Sequence, residues 1–317
     1  MLNTAVAIRD IAKKLLDEKK VDLIIGFEKG SVPLRSTPCF VRSTSEADRL
    51  IWNVNCENNL AKYLPKIKER VAIVAKGCDV RSIINLIKEK QVAREQVFII
   101  GIPCKGMIDR RKIEAKLGGK EILEAEEEDD TIILTGNNLK EIIKKEEFLH
   151  DSCKTCTHRN PVIYDVLIGE KVVEDQAVDE YREVKEFEAQ SHDERWQSFS
   201  NEVSKCIRCY ACRNACPFCY CQECFVDSSQ PQWIGKTTNL SDTAIFHIIR
   251  AFHIAGRCVD CGACDRACPM GIDLRRLTKK MERDVKDLFH YEAGISLEDV
   301  PPLATFNPDD PQEFIIV

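Results

Sequence analysis

Cys206, Cys209, Cys212 and Cys216 stand before Pro217, and Cys258, Cys261, Cys264 and Cys268 stand before Pro269. Both runs read C-x2-C-x2-C-x3-C-P. The two-residue spacers let three thiolates wrap one face of an iron–sulfur cubane. The fourth Cys, about one helical turn on, points away and serves the other cluster. The spacing therefore assigns Cys206, Cys209, Cys212 and Cys268 to one 4Fe-4S cluster, and Cys258, Cys261, Cys264 and Cys216 to a second. The small residues Ala211, Gly262 and Ala263 let the main chain come close to the sulfides, where its N–H groups stabilise an anionic cluster. A zinc site takes four ligands in C-x2-C pairs, which eight cysteines in a doubled pattern fit poorly. Two neighbouring cubanes form a path for single electrons.

The chain holds 17 Cys, so nine lie outside these runs. Cys219, Cys221 and Cys224 follow closely, a ligand-rich loop without a local fourth ligand; reduced bystander thiols are the plainer reading. Cys78 and Cys104 each follow an apolar segment that reads as a strand, at the carboxyl ends where open sheets place ligands. With Cys153 and Cys156, in a C-x2-C step, they could close a third cubane; small buried residues are the alternative. Cys56 is the expected long-range partner of Cys219, Cys221 and Cys224 in a fourth cluster, leaving Cys39 free. Counting cannot settle such sets. His158 reads as a solvated or capping residue. No G-x-G-x-x-G or P-loop occurs.

The elements that must position these thiols alternate in the first half. Val21–Ile25, Val71–Ala75 and Val97–Ile100 read as strands, with a helix over Arg81–Lys90, a unit that favours a parallel sheet. Thr131–Thr135 could add a strand, and Glu121–Asp130 reads as a solvated acidic loop. Met1–Lys20 has helical spacing at Ile8, Ile11, Ala12, Leu15 and Leu16, with charges between, so it is not a signal peptide. In the second half, 239–255 reads as a helix with Ile245, Ile248, Ile249 and Phe252 on one face and Ser241 as N-cap. The predicted fold class is α+β. An α/β domain with a mostly parallel sheet spans 1–170 and a charged, partly helical connector 171–200. A helical two-cluster ferredoxin-type domain spans 201–290 and an extended tail 291–317.

The 317 residues carry a net charge of -6 and are 44% hydrophobic, enough for two cores. No dense basic stripe suggests nucleic acid, and no apolar run approaches the ~18 residues of a membrane span. The expected location is cytoplasmic, where many cysteines are metal ligands sooner than disulfides.

Two resemblances follow from these residues. Gly256-Arg257-Cys258, continuing to Cys268-Pro269-Met270-Gly271-Ile272, resembles the helical ferredoxin domains of heterodisulfide reductase and related respiratory subunits. Lys76-Gly77-Cys78-Asp79, Gly101-Ile102-Pro103-Cys104 and Cys153-Lys154-Thr155-Cys156, with Asp165 and Gly169, resemble the beta subunits of coenzyme F420-dependent hydrogenases and formate dehydrogenases. The second resemblance implies an α/β fold, a 4Fe-4S cluster on Cys78, Cys104, Cys153 and Cys156, and FAD that reduces the deazaflavin. FAD-using members begin with a Gly-Gly segment, and this chain begins Met1-Leu2-Asn3-Thr4 instead. The expected function is therefore an iron–sulfur electron-transfer subunit of anaerobic metabolism. It would relay electrons between a catalytic subunit (formate dehydrogenase or hydrogenase) and a flavin- or cluster-bearing subunit of heterodisulfide-reductase type. The alternative is an FAD enzyme that itself reduces a deazaflavin or another two-electron acceptor.

Overall fold

The computed structural model describes residues 2–175, 177–302 and 308. The chain divides into two compact units, one of residues 1–80 and 92–176, the other of 81–91 and 177–317.

The first unit opens with α1 (Leu2–Asp17), which buries Ile8, Ala12 and Leu15. The strands β1 (Leu23–Lys29), β2 (Ser36–Val41) and β3 (Val71–Ala75) follow. Next come α2 (Gly77–Lys88), whose residues from Arg81 on belong to the second unit, and β4 (Val97–Gly101). After α3 (Arg110–Leu117), three strands β5 (Glu124–Glu128), β6 (Thr131–Gly136) and β7 (Leu139–Lys144) form a separate antiparallel sheet. The short helix α4 (Asp151–Lys154) and strand β8 (Val166–Leu167) close the unit.

The main sheet has the order β2-β1-β3-β4-β8, with β1, β3, β4 and β8 parallel and β2 antiparallel at the edge. This is the mostly parallel sheet expected. Its central strands are continuous apolar runs because both faces are covered; every residue of β3 is buried. Val71 pairs with Val97 and Ala75 with Gly101, so β3 and β4 end level and deliver Cys78 and Cys104 to the same edge.

One expectation fails here. The acidic run Glu121–Asp130 is not a loop, because Glu124–Glu128 is β5, paired along its length with β6. Main-chain bonds to β6 need no apolar side chains from β5. Its acids alternate outward, and Glu127 pairs with Lys145 at 2.8 Å.

The second unit is helical, with α5 (Arg182–Glu188), α6 (His192–Ser204), α7 (Ala211–Ala215), α8 (Leu240–His253), α9 (Ala263–Ala267) and α10 (Arg275–Phe289). Ser191 and Glu194 form a capping box that starts α6. The charged stretch before it is helical, as its composition suggested, but it is packed: Val184 is buried and Glu180 bonds both Lys279 and Lys286.

α8 corrects the sequence reading twice. Its N-cap is Asn239, and Ser241 lies inside the helix. Its inward residues are Phe246, His247, Arg250 and Ala251, whereas Ile245 and Phe252 are 43% and 57% exposed. The cysteine loops against which the helix packs set that face, and apolarity alone does not. The expected extended tail falls mostly outside the described residues. Among those residues, no helix is long and apolar enough to cross a membrane.

Candidate metal centres

The two cysteine runs adopt one backbone twice. Arg208 and Asp260, each two residues after the first Cys, have φ of 55° and 50°. Tyr210 and Gly262 cap α7 and α9 at (58°, 14°) and (68°, 7°). The fourth cysteines, Cys216 and Cys268, return to extended backbone at (-75°, 128°) and (-73°, 115°). Left-handed turns of this kind aim main-chain N–H groups inward as a nest that favours an anion. Arg208 N–H accordingly donates to Cys206 Sγ at 3.4 Å, and Asp260 N–H bonds the Cys258 thiol in the same way.

α7 and α9 lie against each other, and their cysteines frame two pockets. Cys206, Cys209, Cys212 and Cys268 line the first, which holds about 300 Å³ of unfilled space, partly open to solvent. Cys216, Cys258, Cys261 and Cys264 line the second, of about 340 Å³. Each pocket thus takes three cysteines from one run and the last from the other. Tyr210, Phe246 and Ile272 wall the first; Phe218, Ile254 and Val259 wall the second. Among the described residues, no three His, Cys, Asp or Glu side chains draw tight enough to hold a single metal ion. Four thiols spread round a pocket are the wider donor set that a cubane takes.

Burial pushes the thiols of Cys206, Cys212, Cys258 and Cys264 up from their ordinary range. Cys216 is raised first by the Cys219 thiol beside it and then by burial. Iron would replace those protons, since metal ligation needs thiolates. Buried charge surrounds the second pocket. Asp260 is bonded by Arg275 through Nε at 2.7 Å and Nη2 at 2.8 Å, and Lys279 lies 3.4 Å away. Burial, and then Asp273, push the Asp265 carboxyl up to about 7, while it accepts the Leu274 and Arg275 N–H groups. At the first pocket His247 is buried with no hydrogen-bond partner at either ring nitrogen among the described residues. Burial and the nearby Arg250 and Arg208 push it down to about 4, so it is neutral at pH 7. Sequence reasoning missed His247 and Arg250. Their signal was an i, i+3 pair of polar residues within an apolar helix between two cysteine runs.

In the first unit, Cys78 lies in the first turn of α2, Cys104 three residues past β4, and Cys153 on α4. Gly106 N–H donates to Cys104 Sγ at 3.3 Å and Met107 N–H to Cys153 Sγ at 3.4 Å. Cys104 N–H donates to the Arg159 carbonyl, so the segment after Cys156 packs on the loop after β4. Burial pushes the Cys104 thiol up to about 12, with Cys153 and Cys156 adding to the effect. Lys76 is buried beside Asp79 at 2.8 Å and also faces the Cys78 and Cys104 thiols. Cys153 and Cys156 thus lie near enough to act electrostatically on Cys104, and Cys78 and Cys104 both act on Lys76. Gly77 makes this packing possible, because a Cβ there would stand 2.3 Å from the His158 carbonyl oxygen. Gly77→Ala is expected to push the 158–160 segment away and, where this site holds a cluster, to lose its iron alone. Iron per chain and reduced EPR spectra of the variant check this; a full complement of iron would contradict it.

The remaining cysteines have separate surroundings. Cys219 lies against Cys216, Cys224 beside Arg213, and Cys221 is exposed. Cys56 is buried in the first unit and its thiol donates to Asn53 Oδ1 at 3.6 Å. Cys39 is buried on β2, and burial, then Glu28, push its thiol up to about 11. His158 Nδ1 meets the Thr157 hydroxyl at 3.0 Å.

Comparison with known proteins agrees with this geometry. Residues 202–272 match the family model of the 4Fe-4S dicluster domain. The F420-dependent formate dehydrogenase subunit beta of Methanocaldococcus jannaschii is 27% identical, over 94% of this chain and 93% of the relative. The corresponding subunit 1 beta of Methanococcus maripaludis is 24% identical, over 94% and 92%. This chain is a homologue of formate dehydrogenase beta subunits. The likeness covers 94% of this chain and therefore reaches both of its units, beyond the dicluster domain alone. A solved F420-reducing [NiFe] hydrogenase complex from Methanosarcina barkeri includes a chain 11% identical, with TM-score 0.37 over 49% of this chain and 58% of that one; a score this low says nothing of fold or function.

Proposed function

We propose that this chain is an iron–sulfur electron-transfer subunit of a cytoplasmic oxidoreductase complex. The observation that carries it is the pair of four-cysteine pockets, each completed by the last Cys of the opposite run. In the proposal, Cys206, Cys209, Cys212 and Cys268 hold one 4Fe-4S cluster, and Cys216, Cys258, Cys261 and Cys264 the other. When bound, these clusters accept and release single electrons. The protein's part is to hold the thiolates apart in two cradles, exclude water with Phe218, Phe246 and Ile272, and balance charge with buried cations.

A third cluster on Cys78, Cys104, Cys153 and Cys156 is part of the same proposal, supported by the N–H bonds to two of these sulfurs and by the Lys76 charge. A fourth, on Cys219, Cys221, Cys224 and Cys56, rests on their sequence pattern. The catalytic partner would be a formate dehydrogenase, as the names of the relatives suggest, or a hydrogenase. The other partner would carry flavin or further clusters, as a heterodisulfide-reductase-like subunit does.

Iron and sulfide per anaerobically prepared chain test the count. About eight iron atoms mean two cubanes, about twelve mean three and about sixteen mean four. Cys39→Ala is expected to leave the count unchanged, since its sulfur is sealed on β2; a loss of iron there would show the wrong cysteine to have been set aside. Acid-released FAD in equal amount to the chain would turn the reading toward a flavin enzyme.

A further inference from the structure

α8 passes both pockets, with His247 lining the first and Arg250 the second. Arg250 is buried, and its Nη2 donates to the Cys212 carbonyl at 3.3 Å. Its Nε has no hydrogen-bond partner among the described residues. The groups it faces most strongly are the thiols of Cys264, Cys216, Cys212 and Cys219. The neighbouring cations are differently placed. Arg275 is held by Asp260 at 2.7 Å, and Lys279 by Glu180 and Glu282 at 3.1 Å each. A buried cation is stable only with a counter-charge. For Arg250 that counter-charge comes foremost from Cys264 and Cys216 of the second pocket and then from Cys212 of the first, with whatever metal they hold.

We propose that Arg250 raises the reduction potential of the cluster on Cys216, Cys258, Cys261 and Cys264 relative to that of its neighbour. This rests on the reading of the two pockets as cluster sites. Reduction adds one electron, and so one negative charge, to a cluster; no bond forms or breaks and no proton is needed. A fixed positive charge at the rim stabilises the reduced state more than the oxidised one. A guanidinium keeps its charge at every working pH. Buried in a medium of low polarity, it is little screened by salt. The first pocket has in the same helix His247 at the matching place, so α8 presents a guanidinium to one site and an imidazole to the other. Arg250 is a positioning residue for the electron, not a ligand.

The test is a stepwise dithionite titration of the full chain followed by EPR, comparing native protein, Arg250→Gln and Arg250→Lys. Signals are assigned from variants that each lack one cluster. Arg250→Gln is expected to shift the equilibrium for sharing an electron between the two clusters at least about tenfold away from the second, about 59 mV for one electron, with iron per chain unchanged. Arg250→Lys, which keeps the charge, is expected to stay close to native. A Gln variant with full iron and a native ratio overturns the proposal. Should the Gln variant lose iron, the Lys variant decides. Full iron at a native ratio upholds the charge role; lost iron or a displaced ratio overturns it. Native protein without two reducible clusters would instead defeat the reading on which the proposal rests.

Discussion

Cys216→Ala is expected to remove about four iron atoms per chain, and to remove them from the cluster proposed on Cys258, Cys261 and Cys264, over 40 residues away in sequence. The crossed lining of the two pockets dictates this result. Cys216 lines the second pocket with the later run, and Cys268 lines the first with the earlier run. After the substitution, three thiolates remain where a cubane requires four, and water or an outside thiol must fill the corner. The cluster proposed on Cys206, Cys209, Cys212 and Cys268 would keep all four ligands. The measurement is iron and sulfide per chain, with EPR of the dithionite-reduced variant. One slow-relaxing, uncoupled signal should replace the interacting pair. A variant that loses the first cluster and keeps the second would mean that each run serves its own cluster, and the assignment would fall. Transfer of electrons through the assembled complex should stop as well, as the proposed serial path requires.

Asp260→Ala should destabilise the second unit by about 3–5 kcal/mol, the usual result of stranding buried charge. Asp260 accepts two bonds from Arg275 and stands 3.4 Å from Lys279. Its side chain is 8% exposed and those of both cations 5%. Without it, Arg275 keeps Glu183 at 3.5 Å, a carboxylate that is half exposed. Lys279 keeps Glu180 and Glu282. Burial pushes Glu282 up to about 7, so near neutral pH it is a poor replacement anion. Asp260→Asn retains shape and one acceptor, and should fall between the two. Denaturant midpoints of iron-loaded protein, measured anaerobically, check the order. A midpoint equal to native, with iron retained, would refute it. As a control, breaking the exposed Arg42–Glu69 pair should leave the midpoint where it was.

The spacing of the two cysteine runs was the most legible feature of this chain, because a cubane would impose it on local sequence. The crossed lining of the two pockets was readable for the same reason. The parallel sheet was readable at Val71–Ala75 and Val97–Gly101, where strands buried on both faces leave continuous apolar runs. β5 was not, since its Glu-rich sequence carries no strand signal and its pairing comes from β6. The face of α8 was misread for a different reason. Periodicity picks out Ile245 and Phe252, yet the helix packs against the cysteine loops and turns Arg250 and His247 inward. The long-range grouping of Cys104 with Cys153 and Cys156 could be suggested from the strand ends and the C-x2-C step, and the family resemblance strengthened it. Nothing in the intervening residues reports that the chain returns.

The matched dihedral angles at Arg208 and Asp260, and at Tyr210 and Gly262, carry a further meaning. The same main-chain mould is cast twice, once with an arginine and a tyrosine and once with an aspartate and a glycine. Shape is therefore entrusted to peptide groups, which every residue supplies, and the local electrical climate to side chains, which are free to differ. Such a division lets the voltage of either socket drift through substitution while its capacity to assemble metal is left untouched.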